Sequence, residues 1–393
     1  MSNSNFIIDK STWKSVRFGD VVIEPKEICK DIYSEGIEHV VGLEHIETGD
    51  IHLRKSNTTE EHTTFSKKFK KDDVLFGRRR AYLKKAAQAK YNGICSGDIT
   101  VFRAKEELLP SLLPFIVSND KFFDYAVKHS AGGLSPRVKF KDLAKWEFSL
   151  PPIVEQARLS ELFWAIDELV QKEKTLYEKI EKVYISIIEK KLINQSSKKI
   201  YFKDLGKMIR GVGYKPENLL EKYDSKSFVL LRSNNISNSS INYEQVYYLP
   251  ISILNNEQLL LPGDFAICMS NGSKELVGKA ARFEGYDKNV SIGSFCAGFR
   301  PKDELASMLI NHLFASDSYR QEIKKILSGS AINNLKPSDI ENLFLRVDFN
   351  DSEFQHTLEC LNELLKTKYV VKTKIENSIL IQKYLINQCF LNE

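Results

Sequence analysis

The pattern of apolar positions is most regular in the middle of the chain. Apolar side chains recur there at alternating steps of three and four, at Leu159, Leu162, Ile166, Leu169, Leu176, Ile180, Val183 and Ile187. Only Glu173 and Lys190 interrupt this register, and no proline or glycine occurs between Ile153 and Asn194. The spacing is that of a heptad repeat, which predicts a long helix with an apolar seam for one partner helix. About 40 residues at ~1.5 Å each give a rod of roughly 60 Å.

The types of residue at its start also predict this helix. Pro151 and Pro152 suit the first turn, whose N–H groups have no partner within a helix, and Glu155 suits the positive end of the helix dipole. A long helix buried against its own domain is the alternative interpretation. The seam favours a separate partner helix.

A second segment of the same kind lies near the end of the chain. Residues 354–389 also lack proline and glycine. The same spacing is held by Phe354, Leu358, Leu361, Leu365, Ile375, Ile379, Ile386 and Cys389, with lapses at Lys368, Lys372 and Gln382. We expect the two helices to pair with each other, and to run antiparallel.

The two helices end in related sequences, which indicates an internal duplication. The segment "KKLINQ" at 190–195 is echoed by "KYLINQ" at 383–388, and further matches extend upstream at an offset of 197. Gly132 falls on Gly329, Asp142 falls on Asp339, and "FR" at 102–103 falls on "FR" at 299–300. The predicted organisation is a first globular domain at 1–150, a central spacer helix at 151–195, a second globular domain at 196–349 and a C-terminal spacer helix at 350–393.

Each globular half contains short β-type runs bounded by turn residues, together with one amphipathic helix or helix pair. Examples of such runs are "ITVFRA" in the first half and "GDFAICM" in the second. The predicted fold class is therefore α+β, with two duplicated domains separated by two long antiparallel coiled-coil helices.

Composition narrows the class of protein further. The 393 residues carry a formal net charge of only +5, so any nucleic-acid surface must come from local clustering. The polar N-terminus does not resemble a signal peptide, and no run of about 18 apolar residues occurs. The six cysteines form no C-x-x-C pair, which favours reduced thiols over a structural zinc site. We expect a cytoplasmic protein.

Catalytic motifs are missing from the sequence. It contains no phosphate-binding P-loop, no dinucleotide fingerprint, no H-E-x-x-H and no G-x-S-x-G. The S-adenosylmethionine-dependent motif [DNS]-P-P-[YFW] is also absent, because Pro151 and Pro152 are followed by Ile153. We therefore expect no enzyme activity, no metal site and no cofactor in this chain.

Binding signals are stronger than catalytic ones. Residues 67–90 hold ten Lys or Arg against two Asp, and their central part should form a loop or hairpin after a strand. Arginine can contact phosphates or pair with guanine edges. A rod that holds two copies of one module at a fixed separation suits a regular linear target such as DNA. The first candidate DNA-binding loop contains Arg78, Arg79, Arg80, Tyr82, Lys84 and Lys85. A solvated basic face is the alternative interpretation.

The second copy has polar side chains at the corresponding positions: Ser270, Asn271, Ser273, Lys274 and Lys279. A further candidate loop precedes the last strand of each domain. It carries Ser135, Arg137 and Lys139 in the first copy and Asn333, Asn334 and Lys336 in the second. Arg232, Asn234 and Asn235 are additional candidate donors, although an ordinary Asn-rich turn explains them equally well.

The order of these features resembles the specificity subunit of a type I restriction–modification system. The segment "LPPIVEQ" at 150–156 matches the family's "LPPLxEQ", and Ile166 and Asp167 match its later isoleucine and aspartate. Patterns of the types "GDxL…GxxGK" and "SGGxxPxxxxxDL" are recognisable in both copies. The second copy lacks the prolines at the start of its helix, where Asp351 or Ser352 is a plausible N-cap.

The resemblance implies a noncatalytic DNA-binding subunit with two target-recognition domains. Each domain would read half of a bipartite site, and the helices would fix the gap and dock modification (methyltransferase) subunits. S-adenosylmethionine, ATP and Mg would belong to the modification and restriction (endonuclease and translocase) subunits. A structural or tethering coiled-coil protein without DNA specificity is the alternative, and an enzyme fused from the same modules is a third possibility.

Overall fold

The computed structural model describes residues 9–58, 63–194, 196–237, 239–329, 332–347 and 352–390. The chain divides into two compact units. Unit one comprises Met1–Lys174 with Thr373–Glu393, and unit two comprises Thr175–Lys372. Each unit therefore combines one globular domain with the first part of one long helix and the last part of the other.

The first domain is a mixed α and β structure. Its strands are β1 (Lys14–Arg17), β2 (Val22–Ile23), β3 (Val40–Val41), β4 (Lys67–Phe69), β5 (Val74–Gly77), β6 (Ala86–Gln88), β7 (Gly93–Cys95), β8 (Ile99–Ala104) and β9 (Glu147–Leu150). Its helices are α1 (Phe18–Val21), α2 (Leu113–Ser118), α3 (Asp120–Lys128) and α4 (Phe140–Leu143). The long helix α5 (Ile153–Ile187) follows, and a π-helical turn at Ile188–Leu192 continues it.

The second domain repeats this order of elements and contains two additional short strands. Its strands are β10 (Lys199–Tyr201), β11 (Gly206–Arg210), β12 (Ser227–Leu231), β13 (Ile236–Ser237), β14 (Ser240–Ile241), β15 (Tyr247–Pro250), β16 (Phe265–Cys268), β17 (Ala280–Arg282), β18 (Val290–Ile292), β19 (Cys296–Pro301) and β20 (Phe344–Arg346). Its helices are α6 (Phe202–Leu205), α7 (Glu304–Ala315), α8 (Asp317–Ser328) and α9 (Pro337–Glu341), and the second long helix is α10 (Ser352–Phe390).

The four-stranded sheets of the two domains have the same topology, whereas the three-stranded sheets differ in which strand is central. Four-stranded antiparallel sheets run in the orders β2-β8-β5-β6 and β11-β19-β16-β17. Three-stranded sheets run in the orders β3-β7-β4 and β15-β12-β18, each with one parallel pair. In both domains the first strand pairs with the last, β1 with β9 and β10 with β20. The predicted fold class and internal duplication are confirmed.

An equivalent ion pair between a half-buried arginine and a buried aspartate also marks the duplication. Arg103 Nη2 lies 2.7 Å from Asp73 Oδ2, and Arg300 Nη2 lies 2.7 Å from Asp264 Oδ2. Each aspartate also accepts a backbone N–H three residues earlier, which closes the turn before β5 or β16. The aspartate of the "GDxL" pattern is thus structural, because it fixes the strand that leads into the candidate loop.

In unit one the start of α5 packs beside the end of α10. Phe163 and Phe390 lie in one core with the aromatic side chains of the first domain. Ser378 Oγ donates to Glu173 Oε2 at 3.1 Å, and the backbone N–H of Asp120 donates to Asn387 Oδ1 at 3.2 Å. The C-terminal end of α10 is therefore bound to both α5 and the first domain.

In unit two the end of α5 packs beside the start of α10. Lys368 of α10 forms an ion pair with Glu181 and lies over the rings of Tyr177 and Tyr184, 5.5 and 5.6 Å from their centroids. Lys191 Nζ lies 3.2 Å from Glu353 Oε2. In each unit, the start of one long helix packs beside the end of the other. The two helices therefore run antiparallel, as predicted.

The predicted seam of α5 is wrong in its register. Ile180 is buried, and Leu159, Ile166 and Ile187 are half-buried, but four predicted core residues are exposed: Leu162, Leu169, Leu176 and Val183, at 42, 49, 48 and 50%. The inward positions come one residue later, at Phe163, Asp167, Val170, Tyr177, Tyr184 and Ile188. The heptad spacing was correct, but the stripe of leucines is a flank of the helix rather than its contact face.

Hydrogen-bonded polar residues on the inward face explain this error. Gln156 accepts from the backbone N–H of Leu109 at 2.9 Å, and Ser160 Oγ donates to Ser111 Oγ at 2.8 Å. His52 Nε2 lies 2.6 Å from Asp167 Oδ2. Gln156, Ser160 and Asp167 thus interrupt the apolar residues of the inward face near the start of α5, so a hydrophobic pattern follows the leucine stripe beside it instead.

The prediction for α10 agrees better with the structure. Leu358, Leu361 and Ile386 are buried, and the remaining predicted core residues, Leu365, Ile375 and Ile379, are half-buried. Of the two plausible N-caps, Asp351 lies outside the described residues, whereas Ser352 is the first residue of α10.

Candidate nucleic-acid interface

The first candidate loop leaves β5 and turns sharply. Arg80 and Lys84 have left-handed backbones, with φ of 54° and 49°, on either side of a 3-10 turn at Ala81–Leu83. The side chain of Ala81 is buried beneath this turn, whereas Tyr82 is exposed. The loop is therefore anchored at its centre and presents its flanking side chains, in keeping with the predicted loop or hairpin.

The structure joins this loop to the second candidate loop. Arg79 and Arg137 form an antiparallel bridge, and the N–H of Arg80 donates to the carbonyl of Pro136 at 2.8 Å. The N–H of Val138 donates to the carbonyl of Arg78 at 3.0 Å. Residues 55 or more positions apart in the sequence thus form one surface, which we call the arginine surface and define by Arg79, Arg80, Ser135, Arg137 and Lys139.

Asp98 organises this surface. Its Oδ1 accepts from Arg137 Nε at 2.8 Å, and its Oδ2 accepts from Arg79 Nη1 at 3.2 Å. Arg79 Nη2 also donates to Ser135 Oγ at 3.1 Å. Burial acts to raise the pKa of Asp98, but the hydrogen bonds from Arg137 and Arg79 outweigh it, so the pKa lies below its usual value. An ionised carboxylate therefore orients two guanidinium groups.

Other predicted cations of the first copy have internal partners. Lys84 pairs with Asp120, and Lys85 Nζ donates to the carbonyl of Leu43 at 2.7 Å. Arg78 is half-buried, whereas Arg80 and Lys139 are exposed. Of these residues, Arg80 and Lys139 therefore present their charges to solvent.

The second domain joins its two loops at equivalent backbone positions. Ser270 and Asn334 form an antiparallel bridge, and the N–H of Leu335 donates to the carbonyl of Met269 at 2.8 Å. Asn333 Nδ2 donates to the carbonyl of Gly272 at 3.1 Å. We call this the asparagine surface and define it by Ser270, Asn271, Ser273, Asn333 and Asn334.

The remaining predicted donors of the second copy differ in exposure. Ser273, Lys274 and Lys336 are exposed, and Lys279 is half-buried. Asn271 Nδ2 donates to Ser233 Oγ at 3.5 Å, which brings residues 232–235 beside the surface. Asn234 is exposed there.

Two candidate donors of residues 232–235 are used within the fold. Asn235 is fully buried and donates to the carbonyls of Asn242 and Glu244 at 3.0 and 2.9 Å. Its prediction as a DNA-binding residue is wrong, because its amide closes a turn. Arg232 lies 3.7 Å over the ring of Tyr247 and donates to the carbonyl of Gln245 at 2.9 Å, so it is held in place by the protein.

Exposed apolar side chains at these surfaces were missed. Leu134 is 98% exposed between Gly133 and Ser135 of the arginine surface. Phe295 and Ile332, beside the asparagine surface, are 69 and 66% exposed. The available signal was a large apolar residue in a turn, where Gly, Asn, Asp and Ser are the usual types.

Across the described ranges, no three His, Cys, Asp or Glu side chains come together as metal ligands. Within the same ranges, no helix has both the length and the apolar character needed to cross a bilayer.

Comparison with known sequences defines the class of protein. Residues 10–182 match the type I restriction modification DNA specificity domain. A segment of 169 residues, 43% of this chain, is 31% identical to the type I restriction enzyme StySPI specificity subunit of Salmonella potsdam and covers 36% of that protein. A segment of 134 residues, 34% of the chain, is 34% identical to the EcoKI specificity subunit of Escherichia coli strain K12 and covers 29% of it.

These matches span about a third of the length of each curated relative. Residues 10–182 therefore match the type I restriction modification DNA specificity domain, and the resemblance found in the motifs is confirmed.

The fold is shared over the whole chain. The S subunit of a type I restriction-modification system from M. genitalium has a TM-score of 0.56 at 14% identity, with 100% of this chain and 99% of that chain covered. A chain from a structure of complex assembly and conformational transition of the type I R-M system has a TM-score of 0.50 at 18% identity, with 96% of each chain covered. At these identities the likeness concerns the fold alone.

Proposed function

We propose that the chain is the DNA specificity subunit of a type I restriction–modification complex, with each globular domain reading one half of a bipartite site. One observation carries the proposal. The same two loops meet at equivalent backbone positions in each domain, through the Arg79–Arg137 and Ser270–Asn334 bridges, but their side chains differ in chemistry. A shared frame with different side chains suits two readers of different sequences.

The two surfaces favour different bases. Guanidinium groups pair in bidentate fashion with the O6 and N7 acceptors of guanine, which suits Arg79 and Arg137. Asparagine pairs with the N6 and N7 edge of adenine, which suits Asn333 and Asn334. Exposed cations such as Arg80 and Lys336 would contact phosphates, which fixes position without reading sequence.

The long helices have a separate role in this proposal. Both α5 and α10 are continuous over 35 and 39 residues, and each contributes to both units. We propose that their combined length sets the unread gap between the half-sites. Their exposed flanks would dock the modification subunits.

In this proposal the catalytic reactions are carried out by the modification and restriction subunits. The modification subunits would bind S-adenosylmethionine and methylate adenine, and restriction subunits would use ATP and Mg for translocation and cleavage. This chain would be noncatalytic and would contribute only DNA recognition. A tethering protein without DNA specificity is the rival hypothesis, and it predicts indifference to DNA and no strong salt dependence.

An exchange of domains tests the proposal. The segment from Lys10 to Leu150 is replaced by the corresponding segment of another specificity subunit, and the chimera is expressed with its modification subunits. Mapping methylated adenines should show one half-site changed and the other retained. The reciprocal exchange of residues 196–349 is the matched control and should change the other half-site. A change in both half-sites from either exchange would contradict independent reading, and methylation without sequence preference would favour the rival.

A further inference from the structure

The turn before β8 in the first domain and the equivalent turn before β19 in the second hold different kinds of residue. In the first domain this turn is closed by the N–H of Ile99 donating to the carbonyl of Ser96 at 3.0 Å. In the second it is closed by the N–H of Cys296 donating to the carbonyl of Gly293 at 2.8 Å. Asp98 and Phe295 therefore occupy the same turn position.

Each of these two residues also supports its candidate loop through the backbone. The carbonyl of Asp98 accepts the N–H of Arg78 at 3.0 Å, and the carbonyl of Phe295 accepts the N–H of Met269 at 3.0 Å. The N–H of Ser270 donates to the same carbonyl of Phe295 at 3.1 Å. The turn residue is thus fixed directly beside the surface in both copies, and its side chain adds to that surface.

The side chains act in opposite ways. Asp98 accepts hydrogen bonds from Arg79 and Arg137, so its carboxylate orients the side chains of the arginine surface. Phe295 replaces this carboxylate where the facing residues, Ser270 and Asn334, carry no charge. Its ring is 69% exposed, although a turn imposes no need for an aromatic side chain. An exposed apolar ring on a residue whose carbonyl accepts two backbone hydrogen bonds, next to loops that carry amide donors, has the composition of a base-reading surface.

We propose that Phe295 is a specificity-determining residue of the second domain, whose ring packs on the C5-methyl group of a thymine in the major groove. The proposal rests on the function proposed above. Thymine is the base whose major-groove edge presents an apolar group, and aromatic contact with that methyl is an established mode of readout. Amides that read adenine and a ring that reads the methyl of its paired thymine would together recognise one or two A·T pairs.

The test compares thymine with deoxyuridine, which differs only by the absence of that methyl group. The full chain in complex with its modification subunits is titrated with duplexes carrying the mapped site. Each thymine of the second half-site is replaced in turn by deoxyuridine. At one position the wild-type complex should lose about fourfold in affinity, which corresponds to about 0.8 kcal/mol for one buried methyl group. The Phe295→Ala complex should bind thymine DNA more weakly and lose nothing further at that position.

Leu261→Ala is the matched control variant. Leu261 is also an exposed apolar residue of the second domain, but it precedes β16, whereas the asparagine surface follows it. Because the ring of Phe295 is exposed, its removal leaves no core cavity, and equal melting temperatures of the two variants would verify this. Leu261→Ala should keep the full sensitivity of the wild type to deoxyuridine.

The outcomes separate the two proposals. If the wild-type complex reads a sequence but Phe295→Ala has unchanged affinity, or keeps the wild-type deoxyuridine profile, the thymine contact is refuted and the proposed function stands. A second half-site made only of G·C pairs would refute the contact as well. If the wild-type complex binds all duplexes equally, the proposed function itself fails.

Discussion

The carboxylate of Asp98 should control both the strength and the selectivity of DNA binding by the first domain. In Asp98→Ala, Arg79 and Arg137 lose their shared partner at 3.2 and 2.8 Å. The local charge becomes more positive by one, so binding to nonspecific DNA should strengthen, with a salt slope steeper by up to about 0.9. Specific binding should weaken in relative terms, because the guanidinium groups are no longer oriented.

Typical interaction energies, applied to the exposure of these side chains, give a magnitude for each effect. An oriented bidentate arginine discriminates its base by about 1–3 kcal/mol, so loss of orientation at one base pair should reduce discrimination by roughly 5- to 150-fold. The effect on stability should be small. The side chains of Arg79 and Arg137 are 38 and 46% exposed, and exposed ion pairs contribute only about 0.2–1 kcal/mol each. Asp98→Asn, which keeps the shape and one acceptor oxygen, should show the same change in charge with a smaller loss of discrimination.

The assay is a competition between the cognate duplex and one with a randomised first half-site, over about 50–200 mM salt. Glu106→Ala is the matched control, since this exposed carboxylate follows the other end of β8. Six strand residues separate the two positions by about 20 Å, more than the Debye length of ~8 Å. If Asp98→Ala leaves both the salt slope and the discrimination unchanged while remaining folded, Asp98 does not position the arginines for DNA.

Three further predictions follow from the loops, the helices and the core. Alanine at all three arginines of 78–80 should weaken DNA binding and reduce the salt slope by about 1 for each lost phosphate contact; unchanged binding by the folded variant would identify a solvated face. Seven residues added to both long helices, near Glu173 and Lys372, should lengthen the rod by roughly 10 Å and widen the methylated site's gap by up to about three base pairs, whereas extension of one helix should cost stability; an unchanged gap in an active double variant would refute the spacer role. Burial lowers the pKa of His312 to about 4, so its neutral form stabilises the fold fully above the usual pKa of 6.5, and the free energy of unfolding should fall by about 2 kcal/mol between pH 7 and pH 5 in urea titrations. The double variant His312→Phe with Tyr184→Phe should lose this fall, and a fall of the same size in that variant would exclude His312 as its source.

The helices and the duplication were predictable from the sequence because they depend on local rules. Prolines at 151 and 152 stop the preceding strand, and α5 begins at the next residue, Ile153. The single-turn helices α1 and α6 have the related sequences "FGDV" and "FKDL", as expected for a duplication. Periodicity and repetition are properties of the sequence itself, so these elements required no knowledge of tertiary contacts.

The parts of the candidate site that were not predicted depend on contacts between distant residues. Asp98 lies 19 residues from Arg79 and 39 from Arg137, and no pattern in the sequence links them. The pairing of His52 with Asp167, 115 residues away, places a carboxylate on the inward face of α5, where a hydrophobic pattern expects an apolar residue. The buried amide of Asn235 has the same cause, since its partners Asn242 and Glu244 arrive only when the chain folds back.

Comparison of the two copies recovers some of this information, because equivalent backbone positions constrain what a side chain can do. At the turn before the last strand of the four-stranded sheet, the first copy has a carboxylate with two cationic partners and the second has a ring beside uncharged side chains. The hydrogen bond that closes this turn and the one from the candidate loop to the turn carbonyl occur in both copies, so the fold does not require either side chain. A position whose backbone is fixed while its side chain changes from anion to aromatic ring is free to differ with the ligand. We therefore expect Asp98 and Phe295 to determine which half-site each domain reads, more than the exposed lysines and arginines of the candidate loops.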